Sequence, residues 1–326
     1  VSVPIITTSE RSALNRCPQQ WWWRYRMGLR PRGEKGDARW FGIGVHLALA
    51  EWYGKGKKRG RHPALAFSEY AGDEIAYVRT LPDQEGDPAI YEDALDLGIS
   101  MLNSYIENYG RDSQWNVLEI EQPFQVQIKW EGEHIADFHS TFDGAVRDEA
   151  DGQIYLLEHK TATQVNTAYL ALDPQAGSYW AVATSILRSR GIIGPGESIS
   201  GIIYNFLRKC KKDERPRNSK GLYLNKDGGV SKRQPAPAFV REVIERGPRE
   251  IRAEMYALAD DAIWMNAMRD GLMPVRKSRT RDCTFCDFFH MCQLHQRGGD
   301  SWMELRDAEF LQEDPYDRYR EKSAEG

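Results

Sequence analysis

The sequence predicts an α+β fold, a small central mixed sheet flanked by helices. Three observations point there. Apolar side chains keep a helical spacing over residues 8–109, residues 117–160 switch to strand-like alternation, and helical and strand segments then succeed one another to residue 268. No Gly/Ser/Pro-rich linker divides the 326 residues, so one domain is expected over 1–299, followed by an acidic, flexible tail over 300–326.

In chain order, Thr8 or Ser9 can cap a first helix carrying Leu14 and Cys17, and Pro18 stops it because it lacks an N–H. Residues 39–53 form a second helix, a third starts at Pro63, and a fourth covers 90–109. These elements make a helical part over 1–115. Phe124, Val126, Ile128 and Trp130 alternate with polar neighbours, as in a half-buried strand. Strands over 135–146 and 154–160 follow, joined through Asp151-Gly152. Asp173-Pro174 supplies the cap and first position of a helix ending at Leu187, and 199–207 returns to strand character to close a core over 116–210. Residues 208–237 read as a mobile basic loop. A helix over 248–268 precedes a cysteine-rich segment, together spanning 238–299.

Composition excludes several classes. Hydrophobic residues at 41% and charged residues at 28% suit a soluble globular protein. The net charge of −4 is too mild to imply a polyelectrolyte partner by itself. No apolar run approaches the ~18 residues of a spanning helix and no leader opens the chain, so no membrane partner and a cytoplasmic location are expected. Five cysteines, an odd number, suggest a reducing compartment and metal or redox chemistry rather than disulfides.

The sharpest local signal is Phe142-Asp143-Gly144 followed by Leu157-Glu158-His159-Lys160. With Asp151 and Gly152 as the centre of a two-residue turn, Asp143 lies opposite Lys160, and Ala145 opposite Glu158. Asp143, Glu158 and Lys160 then share a face, and diagonal neighbours about 7–8 Å apart can hold one hard cation between two carboxylates. This suits metal-assisted phosphodiester hydrolysis, with the lysine orienting water and offsetting charge on the phosphate. A surface hairpin with an ordinary Asp–Lys ion pair is the alternative reading.

These residues resemble the PD-(D/E)XK nucleases, and within them the RecB-like exonucleases. The motif is an aspartate at a strand end, Glu-x-Lys on the next strand, then a helix bearing Gln-x-x-x-Tyr. Here it reads Asp143, Glu158-His159-Lys160 and Gln175-Ala176-Gly177-Ser178-Tyr179, with an upstream Gly42-Ile43-Gly44-Val45-His46 matching the helix that carries a metal-binding histidine. Phe142 stands where the motif name has proline. The resemblance implies a restriction-endonuclease-like core. It also implies that His46, Asp143, Glu158 and the main-chain carbonyl of His159 bind Mg2+ or Mn2+, that Lys160 is the catalytic lysine, and that Gln175 and Tyr179 position the site and the nucleic-acid strand.

Cys283-x-x-Cys286 and Cys292 place three thiols within ten residues, and Cys17 lies near the other end. Four thiolates suit an iron–sulfur cluster or a structural zinc, and three clustered cysteines with one remote favour the former. The spacing resembles the iron–sulfur subset of RecB-like nucleases, including the CRISPR-associated exonucleases and the AddB nuclease domain. That resemblance implies a 4Fe-4S cluster clipping together segments 266 residues apart (283 − 17). Cys210 is left over.

Basic residues crowd in Arg24, Arg26, Arg30, Arg32, Lys35 and Arg39, in the loop 55–61, and in 208–233, where ten basic face three acidic residues. Such patches can follow phosphates. Trp21, Trp22, Trp23 and Tyr25 are expected to pack around Cys17 rather than to stack on bases. The expected function is a metal-dependent DNA exonuclease acting at DNA ends in recombination, repair, or phage or CRISPR DNA processing, with any helicase as a separate partner. The alternatives are a non-catalytic DNA-end-binding accessory protein and a zinc-binding interaction protein.

Overall fold

The computed structural model describes residues 3–32, 38–81 and 87–320. β1 (Ile5–Thr7) leads into α1 (Thr8–Arg16), and α2 (Pro18–Trp21) runs on as a π turn over Trp22–Arg26 before β2 (Leu29–Pro31). Helices α3 (Ala38–Trp52), α4 (Pro63–Val78) and α5 (Pro88–Tyr109) precede strands β3 (Trp115–Trp130), β4 (Glu133–Asp148) and β5 (Ile154–Ala162). Then come α6 (Pro174–Ser189), β6 (Ile199–Arg208), β7 (Phe239–Ile244), α7 (Pro248–Arg269), α8 (Phe289–Arg297), α9 (Ser301–Glu309), β8 (Phe310–Gln312) and α10 (Asp317–Arg320).

Prolines open α2, α4, α5, α6 and α7, where the missing N–H costs nothing. Asp87 and Asp173 cap α5 and α6 through their carboxylates. The cap of α1 is Thr7, one residue before the expected Thr8 or Ser9. Thr7 keeps the extended backbone of β1, and its hydroxyl accepts the Glu10 N–H at 3.1 Å.

The mixed sheet runs β1-β4-β5-β6-β7, with β3 along the other edge of β4. β4 shares one edge between two partners. β1 pairs in parallel with Asp137–His139, and β5 pairs antiparallel with Gly144–Arg147. Between them, residues 140–143 have no strand partner on that edge, and side chains take over their polar groups. Thr8 bonds Ser140 at 2.7 Å, and the Tyr179 hydroxyl donates to the Thr141 carbonyl at 3.1 Å. One face of the sheet packs on α1, α6 and α7 through residues such as Phe138, Leu156, Trp180 and Met265; the other packs on α3, α4 and α5 through Val45, Phe67, Leu102 and Leu157. Close packing of that second layer uses glycine. A Cβ on Gly98 would lie 2.1 Å from the Phe67 ring, and one on Gly44 2.5 Å from Tyr70.

Two expectations are corrected. The β4–β5 connection is a four-residue loop over 149–152, closed by Asp148 N–H to the Gln153 carbonyl, not a two-residue turn at Asp151-Gly152. Gly144 therefore pairs with Leu157, and position 143 falls opposite Glu158 instead of Lys160. The shift is by an even number, so the parity of the faces is kept. The segment after residue 300 is not a free tail. α9 leads into β8, which pairs antiparallel with β2, and Phe310 is buried against Phe288. Its acidic composition hid a few apolar residues sufficient to dock it. Residues 321–326 lie outside the described residues. The loop 208–237 folds on itself, with Arg217 bridging to Tyr223 and Leu224 to Val230. Among the described residues no helix is long and apolar enough to cross a membrane.

Candidate active site and thiol cavity

The site forms where β3 and β4 break their alternation. Phe142 and Ala145 pack into the same core although three apart, which regular pleating forbids. On the neighbouring strand Glu121 takes a left-handed backbone, φ 44°, and turns its carboxylate toward α3. Asp143 stands at this break on the unpaired edge of β4. Its Oδ2 accepts the His159 N–H at 2.6 Å, and its Oδ1 lies 3.1 Å from Nδ1 of His46 on α3.

His46, Glu121 and Asp143 are the only trio of metal-ligating side chains among the described residues whose donor atoms all lie within 4.8 Å of one another. Sequence reasoning placed His46 and Asp143 and missed Glu121. The available signal was a pair of carboxylates, Glu119 and Glu121, in a strand otherwise alternating with apolar residues. On β5, the Glu158 Oε1 accepts from Lys160 Nζ at 2.6 Å and from Gln175 Nε2 at 2.7 Å. Its Oε2 is buried without a hydrogen-bond partner. Gln175 Oε1 in turn accepts from Lys160.

Tyr179 departs from its expected role toward the nucleic-acid strand. It is 4% exposed, accepts from Gln175 and donates to Thr141, so it braces Gln175 from inside the core and does not face solvent. His159 presents its ring to the opposite face, stacked on Tyr53 and edge-on to His46.

Electrostatics follow from crowding. Burial opposes a proton on His46, but the charges of Asp143, Glu158 and Glu121 outweigh it and lift its pKa to about 9. Burial alone would raise Asp143, yet His46 and the His159 N–H hold it at about 2. Glu158 is pushed up to about 7 by burial, with Asp143 adding and Lys160 opposing. For Lys160 burial favours the neutral amine, but Glu158 prevails and keeps it charged. An orphaned buried carboxylate oxygen beside two further carboxylates and an imidazole is a donor set that fits a hard divalent cation.

A second centre lies near the chain ends. Cys17, Cys283, Cys286 and Cys292 line one cavity of about 320 Å³, with Trp23 and Phe289. Cys17 is at the end of α1, Cys283 lies within a tight 3-10 turn over Arg281–Phe285 that Cys286 directly follows, and Cys292 is on α8. The Ser278 N–H donates to Cys17 Sγ at 3.4 Å, while the Gln19 N–H bonds the Arg276 carbonyl and Arg16 bonds the Asp282 carbonyl. Burial pushes the Cys286 and Cys292 thiols up. Trp21 and Trp23 are buried at 0% and 2% exposure, so neither offers a face to bases.

Much of the basic charge is already paired. Lys55 meets Glu119, Lys57 meets Glu149, Lys212 meets Glu107 and Arg215 meets Asp213. Arg24, Arg30 and Arg39 line a cavity of about 430 Å³ together with Glu313, Asp314 and Asp317. Lys35 lies outside the described residues.

The chain resembles, in structure, a candidate exonuclease from Eubacterium rectale, with a TM-score of 0.46, 9% identity, and coverage of 88% of this chain and 87% of that one. No curated protein matches it. The family model of the PD-(D/E)XK nuclease superfamily matches residues 6–293. Since that span takes in both helical layers and nearly all of the sheet between them, the chain belongs to the PD-(D/E)XK nuclease superfamily.

Proposed function

We propose that the protein is a metal-dependent deoxyribonuclease that hydrolyses phosphodiester bonds at DNA ends. The observation that carries this reading is the meeting of His46, Glu121 and Asp143 beside the partnerless Glu158 Oε2 and the charged Lys160. His46, Glu121, Asp143 and Glu158, with the His159 carbonyl suggested by the family motif, would hold Mg2+ or Mn2+. Such an ion, when bound, supplies Lewis-acid polarisation of a phosphoryl oxygen and acidifies water. The chain's own part is positional. Gln175 ties Glu158 and Lys160 into one unit, so the ammonium group stays fixed beside the carboxylates and can offset charge on a phosphate.

The four cysteines would hold a 4Fe-4S cluster with a structural role. The position of the shared cavity between segments far apart in the chain, with three of the four cysteines clustered and one remote, supports the cluster.

Incubation with end-labelled single- and double-stranded DNA, with Mn2+, Mg2+ or chelator, tests the activity. Metal-dependent loss of label is expected; binding without turnover in either metal would favour a DNA-end-binding role instead. Anaerobically purified protein should be brown and contain iron, and a colourless preparation with one zinc per chain would overturn the cluster assignment.

A further inference from the structure

Beneath the metal-ligating face lies a polar network that the hydrolytic chemistry does not use. His159, Asn205 and Arg241 occupy one row across β5, β6 and β7, paired His159↔Asn205 and Asn205↔Arg241. Asn205 is fully buried. Its amide nitrogen donates to His159 Nδ1 and to the Tyr105 hydroxyl, both at 2.9 Å, and its Oδ1 accepts from Arg241 Nε at 3.2 Å. Every hydrogen-bonding direction of the amide that these contacts use is spoken for, which fixes its orientation. Arg241 grips Asp112 with two bonds at 2.7 and 2.8 Å, and the Tyr53 hydroxyl donates to Asp112 at 2.6 Å. Asp112 itself has a left-handed backbone, φ 43°, and Arg59 holds its carbonyl at 2.9 Å.

Both ends of this network reach the metal-ligating residues. Tyr53 directly follows α3, two helical turns beyond His46, and its ring stacks on His159 at 5.9 Å. The His159 ring is thus held between Tyr53 and His46, while the main-chain N–H of the same residue donates to Asp143.

We propose that Asn205 is a positioning residue for the metal site, acting through His159 and backed by Arg241 and Asp112. It locks α3 against β5 and so sets His46 opposite Asp143. The inference rests on the metal-dependent reading above. Partners behind metal ligands change metal affinity by about 10–100-fold when removed. Asn205→Ala should therefore weaken Mn2+ binding, measured by calorimetry and by manganese EPR, by about tenfold at a temperature where the variant is folded. Tyr105→Phe, which removes one acceptor and keeps the Arg241–Asp112 pair, should weaken it by a smaller factor and carries the test if Asn205→Ala does not fold. Leu258→Ala, on the buried face of α7, supplies a comparable loss of melting temperature and should leave Mn2+ affinity unchanged. Wild-type affinity in folded Asn205→Ala, or in Tyr105→Phe where that variant carries the test, or an equal loss in Leu258→Ala, would overturn the positioning role alone. A wild-type protein that binds no Mn2+ would instead remove the nuclease reading on which it stands.

Discussion

Asp143, Glu158 and Lys160 stand on adjacent strands in the middle of a sheet, whereas Cys17, Cys283, Cys286 and Cys292 stand on helix ends and turns. In the first group Lys160 pairs with Glu158, Asp143 is held by the His159 N–H and His46, and a buried network backs them, so the geometry is held by the fold before any ion arrives. The second shares a cavity but few direct contacts, and its two halves are joined chiefly by Ser278 and the bonds from Arg16 and Gln19. A site that must place charges to within a fraction of an ångström is built on regular strands. A site whose work is to tie distant segments can be left to loops, because its occupant supplies the geometry.

Separate damage to the two centres tests that contrast. Asp143→Ala and Lys160→Ala should each lower Mn2+-dependent digestion by about 10²–10³-fold or more while leaving iron content and DNA binding in place. Loss of iron in either variant would mean that the centres are not independent. Cys17→Ala should do the reverse. It should lose iron and about 2–4 kcal/mol of stability, the worth of a crosslink closing a long loop, while still binding Mn2+ at temperatures where it is folded. An unchanged melting temperature would show that the thiol cavity ties nothing together. Glu121→Gln should weaken Mn2+ by about tenfold, and Tyr179→Phe, which loses the brace on Thr141, should lower turnover with unaltered DNA affinity.

The smallest effect concerns pH. Burial on β4 lowers the pKa of His139 below its ordinary 6.5, against a lesser pull from Asp137. Below pH 6.5 the unfolded chain takes up a proton that the folded chain refuses, so stability falls as pH drops toward the folded pKa. His139→Gln should flatten that part of a melting-temperature profile, and an unaltered profile would contradict the assignment.

The sequence made the sheet and its order of helices readable because strand alternation and proline-capped helix starts are local signals. Asp143, Glu158, Lys160 and His46 could be picked out through their motif spacing. Glu121 was harder to single out: the Glu119 and Glu121 pair marked the strand, but which of the two turns into the site depends on a left-handed residue that breaks the pleat, and no local pattern announces that. Hairpin register failed for a related reason: Asp151-Gly152 suits a two-residue turn, but the loop is closed by Asp148 and Gln153. Asn205 and Arg241 look like ordinary strand residues until three strands align them in one row. The docking of residues 301–312 was hidden by their acidity, which outweighed Phe310 in any reading by composition.

The pairing of β8 with β2 has a practical result for anyone shortening the chain. Ending it at residue 299 would strip Phe310 from Phe288, uncover Leu29, and leave a bare strand edge beside the chamber that Trp23 and the thiols share. Such a fragment should be stickier than the longer protein, so the final stretch is better regarded as the cover of the apolar cluster behind that chamber than as trimming.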